Sequence, residues 1–275
     1  MIGAIVSFTM MAVAGRAVSF ELDTFEIMMY RSFVGVMIVA LCLSVSGKWH
    51  QVQLTHTRLH LVRNGFHFAG QNLWFYALTA IPLAQVFALE FTSPLWVLVL
   101  SPLILGERLT RIRTISAILG FIGILIVARP SPDTVSTGTL AAAAAAIGFA
   151  GAIMFTKKLT RLTTLASILF YLTVTQSVFG MVFAGADGNI ALPSASTIPW
   201  LIVIGIAGLV AHFCMTTALS IAPATVVTPV DFARLPVIAI IGALFYNEPI
   251  DALVIFGAMI IFGANYLNIW SETRK

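Results

Sequence analysis

The chain has 275 residues, of which 59% are hydrophobic and only 9% are charged, and its mean hydropathy is +1.00. Soluble domains carry about 25% charged residues, and a soluble fold of this length could not bury so much apolar surface. The net charge of +4 comes from basic residues in short connecting segments. This placement argues against a nucleic-acid partner and is typical of the topology signals of a membrane protein.

The apolar segments predict ten membrane-spanning helices. A helix that crosses a bilayer needs about 20 apolar residues, and lipid cannot satisfy the backbone groups of any open structure. Cys42 and Cys214 both fall inside apolar segments, so no disulfide is expected. In chain order the predicted spans are residues 1–19, 24–45, 60–80, 83–105, 112–129, 135–157, 163–184, 199–220, 224–246 and 251–270.

The distribution of basic residues predicts the orientation. With ten spans, both termini lie on one face of the membrane, and that face receives eleven basic residues against Arg16 and Arg129 on the other. Basic loops stay in the cytoplasm, so both termini are predicted to be cytoplasmic in an inner (plasma) membrane of the bacterial type, with Asp187 outside. The eleven residues are Lys48, Arg58, Arg63, Arg108, Arg111, Arg113, Lys157, Lys158, Arg161, Arg274 and Lys275.

The chain contains an internal repeat at an offset of 141 residues. Residues 218–248, ALSIAPATVVTPVDFARLPVIAIIGALFYNE, align without a gap with residues 77–107, ALTAIPLAQVFALEFTSPLWVLVLSPLILGE. The predicted fold is therefore all-α and integral to the membrane, with a first five-helix repeat over 1–134 and a second over 135–275. Five is an odd number, so the second repeat is inverted. Inverted repeats are typical of secondary transporters, which bind substrate near the midplane between the repeats.

The repeated segment also resembles a known family. Residues 76–110 read YALTAIPLAQVFALEFTSPLWVLVLSPLILGERLT. The segment consists of a short joint, a span with a central Ser-Pro and then Gly-Glu-Arg-Leu-Thr. This pattern is similar to that of EamA-type drug/metabolite transporters. The resemblance implies ten spans in two sets of five and transport of small metabolites without ATP hydrolysis. Amino acids, vitamins and nucleotide-like compounds are the implied substrates. The second copy departs from the pattern, because Arg234 stands where the first copy has Ser93.

Four charged residues lie within predicted spans: Arg31, Glu90, Asp231 and Arg234. A charge at the bilayer centre costs about 2.5–3.5 kcal/mol, so these side chains are expected to face the protein interior and to pair. Asp231 and Arg234 are one helical turn apart, and Arg31 and Glu90 lie at similar depths. Two readings remain open: the ion pairs lock helices together, or at least Arg234 or one acid faces a substrate cavity.

The third and eighth spans carry polar residues on one face. Asn64, His67, Gln71 and Trp74 are spaced to lie on the same side of a helix, and His212 is the counterpart of Gln71 at the 141-residue offset. These residues are predicted to line the cavity, with a histidine as a proton carrier near neutral pH. The alternative is a hydrogen-bonded contact between helices. Metal binding is not expected.

The predicted function is a secondary active transporter that exports a small polar metabolite, such as an amino acid or a related zwitterion or anion, by alternating access. The alternatives are transport of a vitamin or nucleotide-like metabolite, and a polytopic membrane enzyme. No enzyme activity, cofactor or nucleic-acid partner is expected. The expected partners are the metabolite, the lipid bilayer and protons. The protein is expected to be a monomer or a homodimer. The predicted substrate-binding residues are Arg234, Asp231, Glu90, His67, Gln71, Trp74 and His212, and the predicted structural residues are Arg31, Glu107 and Glu248, the two glutamates accepting hydrogen bonds from a neighbouring helix end.

Overall fold

The structure, a computed structural model, describes residues 1–107, 109–129, 136–186, 188–248 and 252–273. These ranges contain helices and no strand. Arg108, Asp187, Arg274, Lys275, the boundary predicted between 134 and 135 and the predicted first residue of the tenth span, 251, lie outside them. The helices are α1 (Ile2–Val18), α2 (Thr24–Ser46), α3 (Thr57–Ala80), α4 (Leu83–Glu90), α5 (Ser93–Leu105), α6 (Arg111–Ala128), α7 (Thr137–Leu159), α8 (Leu165–Ala184), α9 (Ile198–Ile221), α10 (Ala224–Val230), α11 (Arg234–Tyr246) and α12 (Ala252–Thr273), with 3-10 turns at Trp49–Gln51 and Asp231–Ala233.

Six segments of the described chain are long and apolar enough to cross a membrane. Two of them are interrupted helices, since α4 and α5 together make one segment and α10 and α11 another. Large apolar side chains such as Leu103 and Phe245 point outward from the bundle, as lipid contact requires. The protein is therefore a multi-pass membrane protein. The six segments are Thr24–Ser46, Leu83–Leu105, Thr137–Leu159, Leu165–Ala184, Ile198–Ile221 and Ala224–Tyr246.

Short polar side chains cap the first turns of α2, α6, α7 and α8. Asp23 accepts a hydrogen bond from the backbone of Glu26 at 2.8 Å, and the Glu26 carboxylate accepts one from the backbone of Asp23 at 2.9 Å. This reciprocal capping box opens α2, and Ser136 with Thr139 opens α7 in the same way. A cap of this kind contributes about 1 kcal/mol to helix stability.

Two apolar segments break at their centres, just ahead of a proline. In the first segment α4 ends at Glu90, and α5 starts at Ser93, which is followed by Pro94. In the second segment α10 is followed by a 3-10 turn that begins at Asp231. α11 then starts at Arg234, two residues before Pro236. Proline has no backbone N–H and its ring clashes with the preceding turn, so it favours a kink or a break in a helix. The breaks place three of the four intramembrane charges at helix ends.

Helix bounds in the two parts of the chain are related by the 141-residue offset. α3 covers residues 57–80, and adding 141 gives 198–221, the bounds of α9. α5 covers residues 93–105, and adding 141 gives 234–246, the bounds of α11. Packing follows the same relation. α3 packs against α7, and the equivalent helices α9 and α1 pack against each other.

One close helix contact is between α3 and α7, where two glycines meet. A Cβ atom added to Gly148 would lie 2.8 Å from the Cα of Gly70 and 2.9 Å from the carbonyl oxygen of Phe66. Real side chains do not approach backbone atoms so closely. The two helices therefore need a residue without a side chain at this crossing, as is common where membrane helices pack through small residues.

Replacing Gly148 by alanine is expected to lower the free energy of unfolding by about 1–3 kcal/mol, because the added methyl group forces α3 and α7 apart. The measurement is the midpoint of thermal unfolding of the purified protein in detergent. Gly65→Ala on α3 is the matched control, since a Cβ there meets nothing within 4 Å. It gains helix propensity and should unfold no earlier than the wild type. Equal midpoints for both variants would contradict the close contact.

Candidate functional site

A cavity lies at the centre of the bundle, beside both helix breaks. About 760 Å³ there is not occupied by protein atoms, open solvent included, and the centres of water-sized molecules can occupy about 70 Å³. All seven predicted substrate-binding residues line it: Arg234, Asp231, Glu90, His67, Gln71, Trp74 and His212. The same wall includes Phe8, Met11, Arg63, Phe91, Ser93, Pro94, Phe149, Ala152, Ile153, Thr156, Met215, Thr216, Leu219 and Thr228.

One guanidinium joins the two helix breaks. The Nη2 atom of Arg234 donates to Glu90 Oε1 at 2.5 Å and to Asp231 Oδ2 at 2.6 Å. The second oxygen of Glu90 accepts a hydrogen bond from Trp74 Nε1 at 2.7 Å. Arg234 is only 1% exposed, so these charge-assisted bonds take the place of water at Nη2. The predicted contact between Asp231 and Arg234 is present, and Glu90 joins it from the other half of the chain.

Aromatic rings surround the guanidinium of Arg234. Its central carbon lies 4.7 Å from the ring centroid of Phe87, 4.9 Å from that of Phe8 and 5.2 Å from that of Phe91. Each ring presents its negative face to a cation, and such contacts stabilise a desolvated charge by about 2 kcal/mol or less. The rings also keep water away from the ion pairs.

The predicted pairing of Arg31 with Glu90 is wrong. Arg31 lies on α2, which packs mainly against α8 and α9, whereas Glu90 turns toward Arg234. The side chain of Arg31 donates to the sulfur of Met11 at 3.6 Å, and in the part of the chain that the structure describes no carboxylate pairs with it. Equal depth in the membrane did not place the two residues on facing sides of neighbouring helices.

The two cavity histidines form a direct pair between α3 and α9. Their Nε2 atoms are 2.8 Å apart and their ring centroids 4.5 Å apart, with the rings nearly perpendicular. In this hydrogen bond one nitrogen of His67 or His212 donates and the other accepts, so the pair shares one proton. The helix contact and the cavity lining that the sequence offered as alternatives are both present.

Arg63 is a cavity residue that the sequence analysis counted among the basic residues of the cytoplasmic face and did not predict as a site residue. It lies in the second turn of α3, is 3% exposed, and donates to Thr156 Oγ1 and Asn64 Oδ1, each at 2.9 Å. Its position four residues before His67 extends the polar face of α3 by one turn, and that spacing could have identified it. The cavity aromatics Phe8, Phe91 and Phe149 gave no comparable signal among so many apolar residues.

Two glutamates tie helix ends together outside the cavity. Glu248, just after α11, accepts hydrogen bonds from Leu83 N at 3.0 Å and from Arg16 Nη1 at 2.6 Å. Glu107, just after α5, accepts from Ala224 N at 3.2 Å. Leu83 begins α4 and Ala224 begins α10, so both contacts are with the start of a neighbouring helix, as the sequence predicts. The 141-residue offset relates one contact to the other.

Lys157 binds the end of α9, next to the contact between Glu107 and the start of α10. The sequence analysis assigned it to a connecting segment, but it lies buried in the last turn of α7. Its Nζ donates to the carbonyl oxygens of Leu219 at 2.6 Å and Ala222 at 2.7 Å, and so closes the C-terminal end of α9. Arg16, the counterpart of Lys157 at the 141-residue offset, donates a hydrogen bond to Glu248.

Replacing Arg234 by alanine is expected to destabilise the protein by about 3–5 kcal/mol, because two buried carboxylates lose their counter-charge. Arg234→Lys keeps the charge but cannot reproduce the geometry of the guanidinium, and it should fall between alanine and wild type. Thermal unfolding in detergent measures both. Adding Glu90→Gln and Asp231→Asn to Arg234→Ala should recover much of the loss. No recovery in the triple variant would show that the cost is not electrostatic.

Comparisons with known proteins agree with this architecture. The EamA-like transporter family matches residues 1–129 and again residues 136–270. A riboflavin transporter of Brucella anthropi is 33% identical over 243 residues, which cover 87% of this chain and 86% of the relative. An S-adenosylmethionine uptake transporter of Rickettsia prowazekii is 28% identical and covers 93% of this chain and 86% of its own. One solved crystal structure superposes with a TM-score of 0.79 at 16% identity, covering 99% of this chain and 96% of that one, and supports the fold alone. As predicted, the chain belongs to the EamA-like transporter family and is a small-metabolite transporter rather than an enzyme.

Proposed function

We propose that the protein is a secondary transporter that takes up a flat, polar, aromatic metabolite, with riboflavin as the first candidate. The observation that carries the proposal is the central cavity, in which aromatic walls and unpartnered polar atoms converge beside two helix breaks. Transport proceeds by alternating access between two inverted five-helix repeats, residues 1–134 and 135–275, in the inner membrane.

The offset of 141 residues supports the repeats. It relates helix bounds, packing partners and the two glutamate contacts, and the family matches the chain once in each half. An inverted arrangement gives the two halves equivalent contacts at opposite ends of the bundle. Carriers built this way bind substrate where the halves meet, which is where Glu90 and Arg234 join.

The walls of the cavity favour an aromatic substrate. Phe8, Trp74, Phe91 and Phe149 line it, and aromatic rings stack on flat heterocycles at about 1–3 kcal/mol for each ring. The relative that is 33% identical is named a riboflavin transporter. The flavin ring of riboflavin is flat and uncharged at neutral pH, and its edge offers both hydrogen-bond donors and acceptors.

The buried polar atoms of cavity residues that have no partner among the described residues include Gln71 Nε2, Asp231 Oδ1 and Arg234 Nε. Buried polar groups are almost always hydrogen-bonded in folded proteins, so each exception needs a ligand or water. Two donors and one acceptor on neighbouring elements are a suitable set for the polar edge of a heterocycle. Together with the rings, they define both the plane and the edge of a substrate.

Direct binding of a negatively charged or zwitterionic substrate to Arg234 is not favoured. Arg234 already holds two carboxylates, and a third acid would bring like charges together at low dielectric. The S-adenosylmethionine relatives are named uptake transporters, which favours uptake over the export that the sequence analysis predicted. An uncharged substrate avoids the repulsion.

A second candidate is S-adenosylmethionine. Arg63 lines the cavity without a carboxylate partner among the described residues, while Glu90 and Asp231 bring two negative charges against one guanidinium. The cavity therefore carries separate positive and negative regions. A metabolite with a carboxylate, two cationic groups and a purine ring has complementary charges and a ring to stack.

The topology is tested by labelling single cysteines in intact cells after Cys42 and Cys214 have been replaced. Lys48→Cys should react only after the membrane is permeabilised, and Leu192→Cys, which is 84% exposed, should react from outside. The reason is that the proposed ten spans place these loops on opposite faces. Labelling of both from the same face would contradict the span count and the inversion.

Riboflavin transport is tested in a riboflavin auxotroph and in proteoliposomes with radiolabelled riboflavin. We expect saturable uptake, and we expect Trp74→Ala to reduce it by about fivefold or more, because the ring loses a stacking partner. Trp96→Ala is the matched control, since Trp96 lies on the outer surface of α5 and is 41% exposed. Its uptake should stay near the wild-type rate. Uptake of S-adenosylmethionine without riboflavin would select the second candidate, and transport of neither would reject the proposal.

A further inference from the structure

We propose that Asp231 is the proton-binding site of this transporter, and that its Oδ1 atom carries one proton together with each uncharged substrate molecule. The inference rests on the proposed function, because it concerns the same cavity. It differs from the sequence prediction, which gave the proton to His67 or His212.

The first argument is a count of charge. Arg234 lies between Glu90 at 2.5 Å and Asp231 at 2.6 Å, so one positive charge faces two carboxylates. All three residues are buried. An uncompensated charge in such a site costs several kcal/mol, and binding one proton to either carboxylate removes it.

The second argument decides which carboxylate takes the proton. Both oxygens of Glu90 accept hydrogen bonds, one from Arg234 and one from Trp74. Asp231 uses only Oδ2, and its Oδ1 has no partner within the described residues and lies at the cavity. Hydrogen bonds to the charged form stabilise it, so Glu90 remains ionised. The proton therefore binds Asp231 Oδ1, the buried carboxylate oxygen that no other group of the described residues occupies.

The charged groups around Asp231 leave this assignment intact. Arg234 faces it from α11 and Glu90 from the end of α4, and the amino group of Met1, ahead of α1, acts on it from a distance. α10 has no titratable residue. Among the described side chains of α12, the only titratable one is that of Tyr266, which points outward. Elsewhere on the cavity wall lie His67, His212 and Arg63.

Proton and substrate are expected to move in the same direction. An uncharged substrate that fills the cavity brings no charge to offset the second carboxylate of the buried ion cluster, so that carboxylate must be neutralised first. The proton that binds Oδ1 does this, and the new O–H donates a hydrogen bond to the substrate, while Oδ2 stays on Arg234. The apparent affinity for substrate therefore rises as the pH falls.

The central test uses proteoliposomes with the membrane potential held at zero and radiolabelled riboflavin as the probe. With the outside acidic, the wild type should accumulate the substrate by up to about tenfold for each unit of pH difference, the limit for one proton per molecule. Equal concentrations on both sides, together with measurable exchange of labelled for unlabelled substrate, would overturn the inference and leave the proposed function standing.

Three variants separate Asp231 from the histidines. Asp231→Asn should lose accumulation, and its exchange rate should no longer vary between about pH 5 and pH 8. Asp231→Glu restores a carboxyl group and should restore the response to the gradient. The double variant His67→Gln with His212→Gln should still respond to the gradient in its residual transport. A response that is lost in the histidine variant and kept in Asp231→Asn would overturn the assignment.

A second measurement needs no substrate. Infrared difference spectra of the wild type in lipid, recorded between acidic and alkaline pH, should show a protonated-carboxyl band that is absent in Asp231→Asn. In Glu90→Gln, where Arg234 faces Asp231 alone, the band should appear only at lower pH. The same band in both wild type and Asp231→Asn would refute the site even where riboflavin proves to be the wrong metabolite. Transport of neither candidate, with the band present, would reject the proposed function alone.

Discussion

A single buried guanidinium, that of Arg234, sets the constraint on which the centre of this protein depends. Its charge cannot exist at low dielectric without partners, and it draws a carboxylate from each of two interrupted segments, Glu90 and Asp231. The helix breaks let those carboxylates reach it. The rings of Phe8, Phe87 and Phe91 keep water from the cluster, and the cavity occupies the space beside it. Ion pairing, helix interruption and the site are thus parts of one arrangement.

The two glutamates at helix ends show how the same contact can hold opposite parts of a carrier. Glu248 holds the start of α4 and Glu107 the start of α10, and α4 and α10 are the helices that lead to the breaks. Under the proposed inversion, each contact controls the approach to the cavity from one side. A carboxylate accepting backbone N–H bonds is a contact that can open and re-form without unfolding a helix, because the exposed helix start can bind water instead.

Contacts between residues that are close in the sequence could be predicted correctly. The contact of Asp231 with Arg234 follows from their separation of three residues, and the polar face of α3 follows from helical spacing, so both could be predicted. Arg31 was assigned the wrong partner because depth along a helix axis says nothing about rotation around it. Arg63 was missed because a charge near a segment end is ambiguous between a loop and a first turn. Phenylalanines that line a cavity look the same in a sequence as those that face lipid.

The presence of Arg234 in only one half of the chain has a consequence for how such a protein can be assembled. Arg234 has Ser93 as its counterpart, whereas the acids Asp231 and Glu90 correspond to each other. Two identical half-length chains related by a twofold axis would place either no guanidinium or two at the centre, and their net charge there would always be even. Joining the halves in one polypeptide frees them to diverge. It permits an odd charge beside the symmetry axis, which no symmetric pair of equal subunits can have.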